Sequence, residues 1–152
     1  MKLSQFLAEE NIRQGLEGQS KRELFREALA LLHQRGAVTD PERVLADLEL
    51  RESIMSTGIG QGVAIPHAQS EGVSEMHLSL WWPARPLDFE ALDGRPVDLV
   101  FMILGPRDAG SDHVKLLSKI SRLLHQEDFR ERIRTAPGPR EALELIREFD
   151  EH

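Results

Sequence analysis

The ten residues Gly58-Ile59-Gly60-Gln61-Gly62-Val63-Ala64-Ile65-Pro66-His67 are the most informative stretch of this chain. A glycine-rich loop leads into a short apolar run, which predicts a strand over 63–65. Proline at 66 restricts the backbone, so the side chain of His67 is held in place directly after the strand. A histidine presented in this way, beside backbone N–H groups freed by the glycines, suits the binding of a negatively charged group.

Length and composition indicate a single folded domain over residues 1–152. Hydrophobic residues make up 40% of the 152, enough for a core at this length, and charged residues of both signs make up 30%. The formal net charge is −7, from 19 basic and 26 acidic residues. This balance argues against nucleic-acid partners and anionic membrane surfaces, because both require a basic face.

The absence of certain residues and segments removes further classes of function. The chain has no cysteine, so disulfides, thiolate nucleophiles and cysteine-based zinc sites are excluded. No apolar run approaches the ~20 residues that a membrane-spanning helix needs, and the N-terminus lacks the apolar core of a signal peptide. We therefore expect a cytoplasmic protein that does not insert into a membrane.

Five helical segments are predicted from capping signals and from the helical spacing of apolar residues. The first starts at a capping box over 20–23 and ends near Gly36. The second starts at Asp40-Pro41 and runs to about Ile54. The later helices are identified by a cap at Ser111 or Asp112 and by apolar residues at Phe129, Ile133, Leu143, Ile146 and Phe149.

Three strands are predicted between these helices, over residues 63–65, 76–82 and 97–104. The second alternates large apolar residues with other side chains. The third is apolar apart from Asp98, which is typical of a strand buried on both faces. Because the order is helices, strands and then helices, without strict βαβ alternation, we predict an α/β fold in which a mixed β-sheet is flanked by α-helices.

The glycine loop does not match the common nucleotide-binding patterns. A dinucleotide fingerprint requires G-x-G-x-x-G between a strand and a helix, whereas this loop reads G-x-G-x-G and precedes a strand. The lysine and hydroxyl pair of a P-loop is also absent. Local sequence alone leaves the ordinary alternatives open, in which the loop is a tight turn between helix and strand and His67 is structural.

Three further residues carry groups suited to an anion. His113 falls in the first turn of the predicted third helix, just beyond a long buried strand, where free N–H groups favour negative charge. Arg51 ends the second helix shortly before the glycine loop, and its guanidinium fork matches phosphate. Thr57 offers a hydroxyl donor where the loop begins. The ordinary alternatives are a capping histidine, an ion-paired arginine and a turn threonine.

Two imidazoles, one guanidinium and a glycine loop are the groups expected where phosphate is carried on histidine. A neutral imidazole nitrogen attacks a phosphoryl donor in line, and catalysis then consists mainly of positioning and charge stabilisation. No metal is required in principle. The remaining histidines have weaker cases, and we interpret all four as non-catalytic: His33, His77, His125 and His152.

Two blocks of the sequence closely resemble the EIIA components of the phosphotransferase system, of the fructose/mannitol type. The first resembles their active-site segment and consists of Arg51-Glu52 followed by Ser56-Thr57-Gly58-Ile59-Gly60-Gln61-Gly62-Val63-Ala64-Ile65-Pro66-His67-Ala68. The second agrees in order and spacing and consists of Pro86-Leu87-Asp88-Phe89, Asp93-Gly94-Arg95-Pro96-Val97-Asp98-Leu99-Val100-Phe101, Pro106, His113 and Leu116-Leu117. The resemblance runs from about Leu3 to Ile146, nearly the whole chain.

This resemblance implies a single α/β domain that carries phosphate on a histidine. His67 matches the histidine that accepts phosphate from the phosphocarrier HPr or a paralogue, and His113 matches the second histidine, which assists. Arg51 matches the active-site arginine of the family. No cofactor or metal is implied. The residues expected to bind phosphate are Arg51, Thr57, Gly58 and Gly60.

The resemblance also implies partners, of which there are two kinds. In sugar transport the phosphate passes to an EIIB, whereas the nitrogen-regulatory branch acts on a regulated target protein. The Leu3-Ser4 start and the run over 96–101 look more like the regulatory branch, as does the lack of an attached EIIB-like or membrane segment. A stand-alone EIIA of a fructose/mannitol-type transporter is the alternative. Ala68-Gln69 follows His67 at a place where many regulatory relatives have a basic residue nearby. This difference bears on which partner the chain binds, more than on whether it accepts phosphate.

Two hypotheses from other classes are considered beside the phosphate carrier. A pure interaction module that has lost phosphotransfer is disfavoured by the intact set of Arg51, His67 and His113. A metal-dependent hydrolase would use His67 and His113 as ligands, but no His-x-x-x-His or Glu-x-x-His spacing supports it.

Overall fold

A computed structural model describes residues 1–150, so the interpretation of His152 as non-catalytic lies outside the described residues. Within them the chain forms five α-helices: α1 Lys21–Gln34, α2 Pro41–Ile54, α3 Gly110–Leu124, α4 Glu127–Arg134 and α5 Pro139–Asp150. It also forms six strands: β1 Ile12–Leu16, β2 Gly58–Gly60, β3 Val63–Ala64, β4 His67–Gln69, β5 His77–Pro83 and β6 Leu99–Gly105. Short 3₁₀ turns lie at Leu3–Gln5, Glu9–Asn11 and Arg107–Ala109.

The strands form one mixed sheet in the order β1-β5-β6-β3-β2, with β4 also paired to β6. β1 is parallel to β5, and β3 and β4 are parallel to β6, whereas the β5–β6 and β2–β3 pairs are antiparallel. β3 pairs with the first half of β6 and β4 with the second half. The predicted α/β fold with a mixed sheet flanked by helices is therefore confirmed.

The central strand β6 is buried along its whole length. Leu99, Phe101 and Ile103 belong to the core formed with α3, α4 and α5. The alternate residues Val100, Met102 and Leu104 belong to a second core formed with α1 and α2. Since successive side chains of a strand point to opposite faces, an unbroken apolar run is what a strand with helices on both sides requires.

The predicted ends of the first two helices are confirmed. The side chains of Ser20 and Asp40 accept hydrogen bonds from the backbone N–H groups of Glu23 and Arg43, so each satisfies a free donor of its helix. Gly36 follows α1 with φ +79°, a left-handed conformation that glycine adopts without strain.

The predicted start of the third helix, with Ser111 or Asp112 as the cap, was wrong by two or three residues. α3 begins at Gly110, with Ala109 preceding it and no side-chain cap, and Ser111 and Asp112 lie inside the first turn. The 3₁₀ turn Arg107–Ala109 runs directly into the helix and orders the chain before it, so no polar side chain is needed to start α3. His113 still lies in the first turn of the helix, as predicted.

The three predicted strands exist with shifted ends, and three other strands were missed. The prediction over 63–65 corresponds to β3, that over 76–82 to β5, and that over 97–104 to β6. β2 and β4 have three residues each, too few for an alternating pattern, and β1 is interrupted by Gly15 with φ +77°. The glycine loop is the β2–β3 hairpin, with positive φ at Gly60, Gln61 and Gly62.

Across residues 1–150, none of the helices combines the length and the hydropathy needed to cross a membrane.

Candidate active site

His67 is the first residue of β4, beside the second half of β6. The N–H of Ile103 donates to the carbonyl of Pro66 at 3.0 Å, which fixes the backbone immediately before His67. The Nδ1 atom of His67 lies 2.8 Å from the carbonyl oxygen of Ile65. Because a carbonyl oxygen only accepts, Nδ1 carries the proton and Nε2 is left with the lone pair of the neutral ring.

His113 lies close to His67, with ring centroids 5.6 Å apart and ring planes inclined by 54°. Its helical spacing explains its burial, because Leu116 and Ile120 follow on the same face of α3 and both are buried in the core. The residue as a whole is only 5% exposed. Its Nδ1 atom is buried without a hydrogen-bond partner among the described residues.

Arg51 lies in the last turn of α2, and its Nη1 atom donates to the carbonyl of Met55 at 2.9 Å. This bond caps a free carbonyl at the C-terminal end of the helix and restrains the guanidinium group. The positive charge lowers the pKa of His67, so the two side chains are close enough to interact electrostatically.

One open cavity of roughly 350 Å³ brings the three predicted catalytic residues together. Sequence reasoning missed the other side chains around it. Four of the lining residues follow helical spacing on one face of α2, a signal that was present in the sequence. The lining consists of Asp47, Leu50, Arg51 and Ile54 from α2, His67, Ala68 and Gln69 from β4, and Arg107 and His113 from the segment after β6.

Both imidazoles of the cavity are held neutral at neutral pH. Burial is the largest cause of the lowered pKa of His67, and the charge of Arg51 lowers it further, whereas the bond to Ile65 and the charge of Glu52 act in the opposite direction. Burial and the proximity of His67 lower the pKa of His113 to about 4. A neutral His67 keeps its Nε2 lone pair available as a nucleophile.

Thr57 is buried and lies outside the residues that line the cavity. The carboxylate of Glu52 accepts from the N–H of Thr57 at 2.8 Å and from its hydroxyl at 2.6 Å, and Lys21 pairs with the same carboxylate at 3.1 Å. The carbonyl of Thr57 accepts from the N–H of Ile65 at 3.0 Å. The hydrogen bonds of Thr57 therefore connect the carboxylate of Glu52 to the backbone of Ile65, whose carbonyl in turn accepts from Nδ1 of His67.

Gly58 and Gly60 also lie outside the cavity lining. A Cβ atom on Gly58 would meet that of Ala91 at 2.8 Å, so the glycine allows close packing of the next loop. Gly60 has φ +96° and lies against Asp93, whose carboxylate accepts from the N–H of Gln61 at 2.9 Å. None of these two glycines and Thr57 is among the residues that line the cavity. The phosphate-binding role assigned to the three residues stays a prediction.

The other described histidines lie outside this cavity. The Nδ1 atom of His33 donates to the carbonyl of Val38 at 2.8 Å, and that of His125 to the carbonyl of Ser121 at 2.6 Å. His77 begins β5, on the edge of a different cavity. Within residues 1–150 no group of three histidine or carboxylate side chains is arranged to hold a metal ion.

Known proteins resemble this chain over nearly its whole length. A sequence model of the family described as "Phosphoenolpyruvate-dependent sugar phosphotransferase system, EIIA 2" matches residues 5–149. A nitrogen regulatory protein of Pseudomonas aeruginosa is 34% identical over 129 residues, which are 85% of this chain and 84% of that protein. The fructose-specific EIIABC component of Bacillus subtilis is 32% identical over 150 residues, 99% of this chain but only 24% of that larger protein.

A solved structure extends the similarity to three dimensions. The crystal structure of the nitrogen regulatory protein IIA-Ntr from Neisseria meningitidis superposes with a TM-score of 0.86 at 35% sequence identity. The match covers 93% of this chain and 97% of that one. The fold is thus shared, over most of both chains, with a protein of similar length.

Proposed function

Because this chain belongs to the EIIA 2 family of the phosphoenolpyruvate-dependent sugar phosphotransferase system, we propose that it carries a phosphoryl group on Nε2 of His67. The observation that supports this most directly is the 2.8 Å bond from Nδ1 of His67 to the carbonyl of Ile65. It leaves Nε2 as the nucleophilic nitrogen of a neutral ring, beside a second imidazole and a guanidinium group.

The transfer is a single displacement at phosphorus. The Nε2 lone pair attacks the phosphorus of a phosphohistidine donor, and a new N–P bond forms as the donor's N–P bond breaks. The bonding electrons return to the donor's imidazole nitrogen, so no proton, metal or oxidant is consumed. The ring of His67 keeps its Nδ1 proton and gains positive charge, which the carbonyl of Ile65 stabilises.

Arg51 and His113 have separate roles in this step. Arg51 binds the phosphoryl oxygens, because its charge already acts on His67 and its guanidinium is restrained by Met55. His113, which is neutral in the unphosphorylated protein, donates a ring N–H to a phosphoryl oxygen and so positions the group. Glu52 and Thr57 act indirectly, since their hydrogen bonds position the backbone of Ile65, two residues before His67.

We propose an HPr-type phosphocarrier as the donor. An exposed apolar rim is formed by Leu50 and Ile54, which line the cavity from α2, together with exposed Met55 directly after α2 and exposed Val114 next to His113 on α3. A protein donor must bring its phosphohistidine into bonding distance of Nε2, so it has to cover this rim during transfer. Burial of exposed apolar side chains supplies part of the binding energy.

The partner after this chain is proposed to be a regulated target protein of a nitrogen-type pathway, contacted according to the phosphorylation state of His67. The similarity in length and fold to nitrogen regulatory proteins favours this branch. Transfer to an EIIB of a fructose/mannitol-type transporter is the second candidate, favoured by the similarity to a fructose-specific component. Offering the phosphorylated protein to a purified fructose-type EIIB separates the two, because only a transport EIIA passes its phosphate on efficiently.

The proposal is tested by incubation with phosphoenolpyruvate, enzyme I and an HPr-type carrier. We expect one acid-labile phosphate per chain, lost in His67→Ala and retained in His125→Ala, a matched control outside the cavity. Label that persists in His67→Ala overturns the assignment of the acceptor. Wild-type protein that takes no label yet binds the carrier supports the alternative of a phosphotransfer-inactive interaction module.

A further inference from the structure

The cavity beside His67 holds two charged side chains that the proposed transfer does not use. Asp47 lies one turn before Arg51 on α2, and its side chain is 15% exposed. Arg107 lies in the 3₁₀ turn before α3, and its side chain is 55% exposed. Both line the same cavity as His67, so any charge that enters the cavity interacts with them.

The ion pairs of Arg107 are long. Its Nη2 atom lies 3.8 Å from Oδ1 of Asp47, and its Nε atom lies 4.0 Å from Oε1 of Glu71. Neither distance is short enough for a hydrogen bond. Exposed ion pairs with this geometry contribute little to stability, so the guanidinium group can leave these carboxylates at small cost.

Asp47 keeps a second cation when Arg107 leaves. The Nε atom of Arg43, one turn earlier on α2, lies 3.5 Å from Oδ2 of Asp47. That oxygen is buried and has no hydrogen-bond partner among the described residues. The carboxylate is thus partly neutralised by two arginines at once, of which only Arg107 borders the cavity.

The charges in the cavity are unbalanced once a phosphoryl group arrives. A phosphoryl group on a side chain carries roughly −1.5 to −2 charges at neutral pH. Arg51 supplies one positive charge, while Asp47 adds a negative one. His113 is neutral in the unphosphorylated protein, because burial and His67 keep its pKa low. The lining holds one more cation besides Arg51, namely Arg107, which can balance the remaining negative charge.

We propose that Arg107 is a second phosphoryl-binding residue and that Asp47 competes with the phosphoryl group for it. Arg107 pairs with Asp47 in the unphosphorylated protein and moves onto the phosphoryl oxygens when His67 is phosphorylated. The inference rests on the proposed function. It makes the Asp47–Arg107 pair part of the phosphorylation equilibrium, and it leaves the carboxylates of Asp47 and Glu71 less neutralised in the phosphorylated form, a change that a partner protein can recognise.

The test measures the equilibrium constant for phosphoryl transfer from an HPr-type carrier, with the phosphorylated fraction read by ³¹P NMR. Arg107→Ala lowers this constant about tenfold, since a charge-assisted bidentate contact is lost. Arg107→Lys restores part of it. Asp47→Asn raises the constant severalfold, because the competing carboxylate is removed. Arg132→Ala is the matched control: Arg132 is 46% exposed, pairs with Glu148 at 3.3 Å, and lies outside this cavity.

The opposite signs expected for Arg107→Ala and Asp47→Asn distinguish competition from a general loss of structure, which would move both in one direction. Suppose that the wild type is phosphorylated on His67. The inference is then overturned, while the proposed function stands, if Arg107→Ala has the same equilibrium constant as Arg132→Ala. The same holds if Asp47→Asn lowers the constant. If the wild type takes no phosphate on His67, the proposed function fails, and the inference with it.

Discussion

The Nδ1 atom of His67 donates a 2.8 Å hydrogen bond to the carbonyl oxygen of Ile65, two residues earlier in the chain. The bond spans Pro66, whose restricted backbone holds the carbonyl and the imidazole in a fixed relation. One backbone carbonyl therefore determines the tautomer of the imidazole and, with it, which ring nitrogen is nucleophilic.

We expect the phosphoryl group on Nε2 of His67. Nδ1 carries the proton that binds Ile65, so attack from Nδ1 would require that bond to break. NMR of ¹⁵N-labelled, phosphorylated protein measures this through the ¹⁵N–³¹P coupling of the ring nitrogens. Coupling at Nδ1 would contradict the assignment.

His113→Ala should slow phosphotransfer by roughly 10²-fold, the typical effect of removing one group that stabilises a transition state. His67 remains present, so the final extent of labelling is unchanged. Rapid-quench kinetics with an HPr-type carrier measures the rate, and His125→Ala serves as the control. An unchanged rate in His113→Ala refutes the assisting role.

The free energy of unfolding should fall as the pH drops below 6.5, through His113. Its pKa is about 4 in the folded protein and 6.5 when unperturbed. The unfolded chain therefore binds more protons between these values, and the stabilisation present above pH 6.5 is lost progressively toward pH 4. Linkage gives a loss on the order of 2 kcal/mol between pH 7 and pH 5. Urea unfolding at both pH values measures it, and His113→Asn, unlike His125→Asn, should flatten the dependence.

Two neighbouring residues should shift the pKa of His67 in opposite directions. Arg51 lowers this pKa and Glu52 raises it, so Arg51→Ala should raise the value and Glu52→Gln should lower it. NMR titration of the imidazole resonances measures both, with Glu49→Gln as a control, since Glu49 pairs with Arg22 instead. Shifts of the same sign in the two variants would show that structural disturbance outweighs charge.

Aspartate in the apolar rim should weaken docking of the carrier without unfolding the protein. Leu50 is 66% exposed and Ile54 is 75% exposed, so neither contributes much to the core. For Leu50→Asp and Ile54→Asp we expect the KM for the carrier to rise about tenfold at nearly constant kcat. Leu92 is 85% exposed and lies outside the cavity lining, so Leu92→Asp is the control. Equal KM values in all three variants would place the carrier elsewhere.

The hydrophobic pattern predicted the main elements because those signals are local. Ser20, Gly36 and Asp40 mark helix ends through bonds to residues nearby in sequence. The unbroken apolar run of β6 indicated burial on both faces. Strands β2 and β4 gave no such signal. β4 pairs with β6, more than thirty residues away in sequence, and β2 pairs with β3 through a glycine hairpin.

The candidate site was predictable only in part. His67 was identified from the proline before it, and Arg51 and His113 from their positions at helix ends. Asp47 and Arg107 were missed because neither has a local pattern of its own, although Asp47 shares a helical face with Arg51. Thr57 was expected at the phosphate, and this stays a prediction; its hydroxyl donates to Glu52, and it lies outside the cavity lining.

The sequence by itself determined the helices, the doubly buried strand, the restrained histidine after proline, and a family resemblance that extends along nearly the whole chain. These depend on periodicity and on short segments. The tertiary structure alone decided that His113 lies 5.6 Å from His67, that burial keeps both imidazoles neutral, and that Asp47 and Arg107 share their cavity. Each of these depends on the pairing of β4 with β6 and on the packing of α3, which bring distant residues together and exclude water from them.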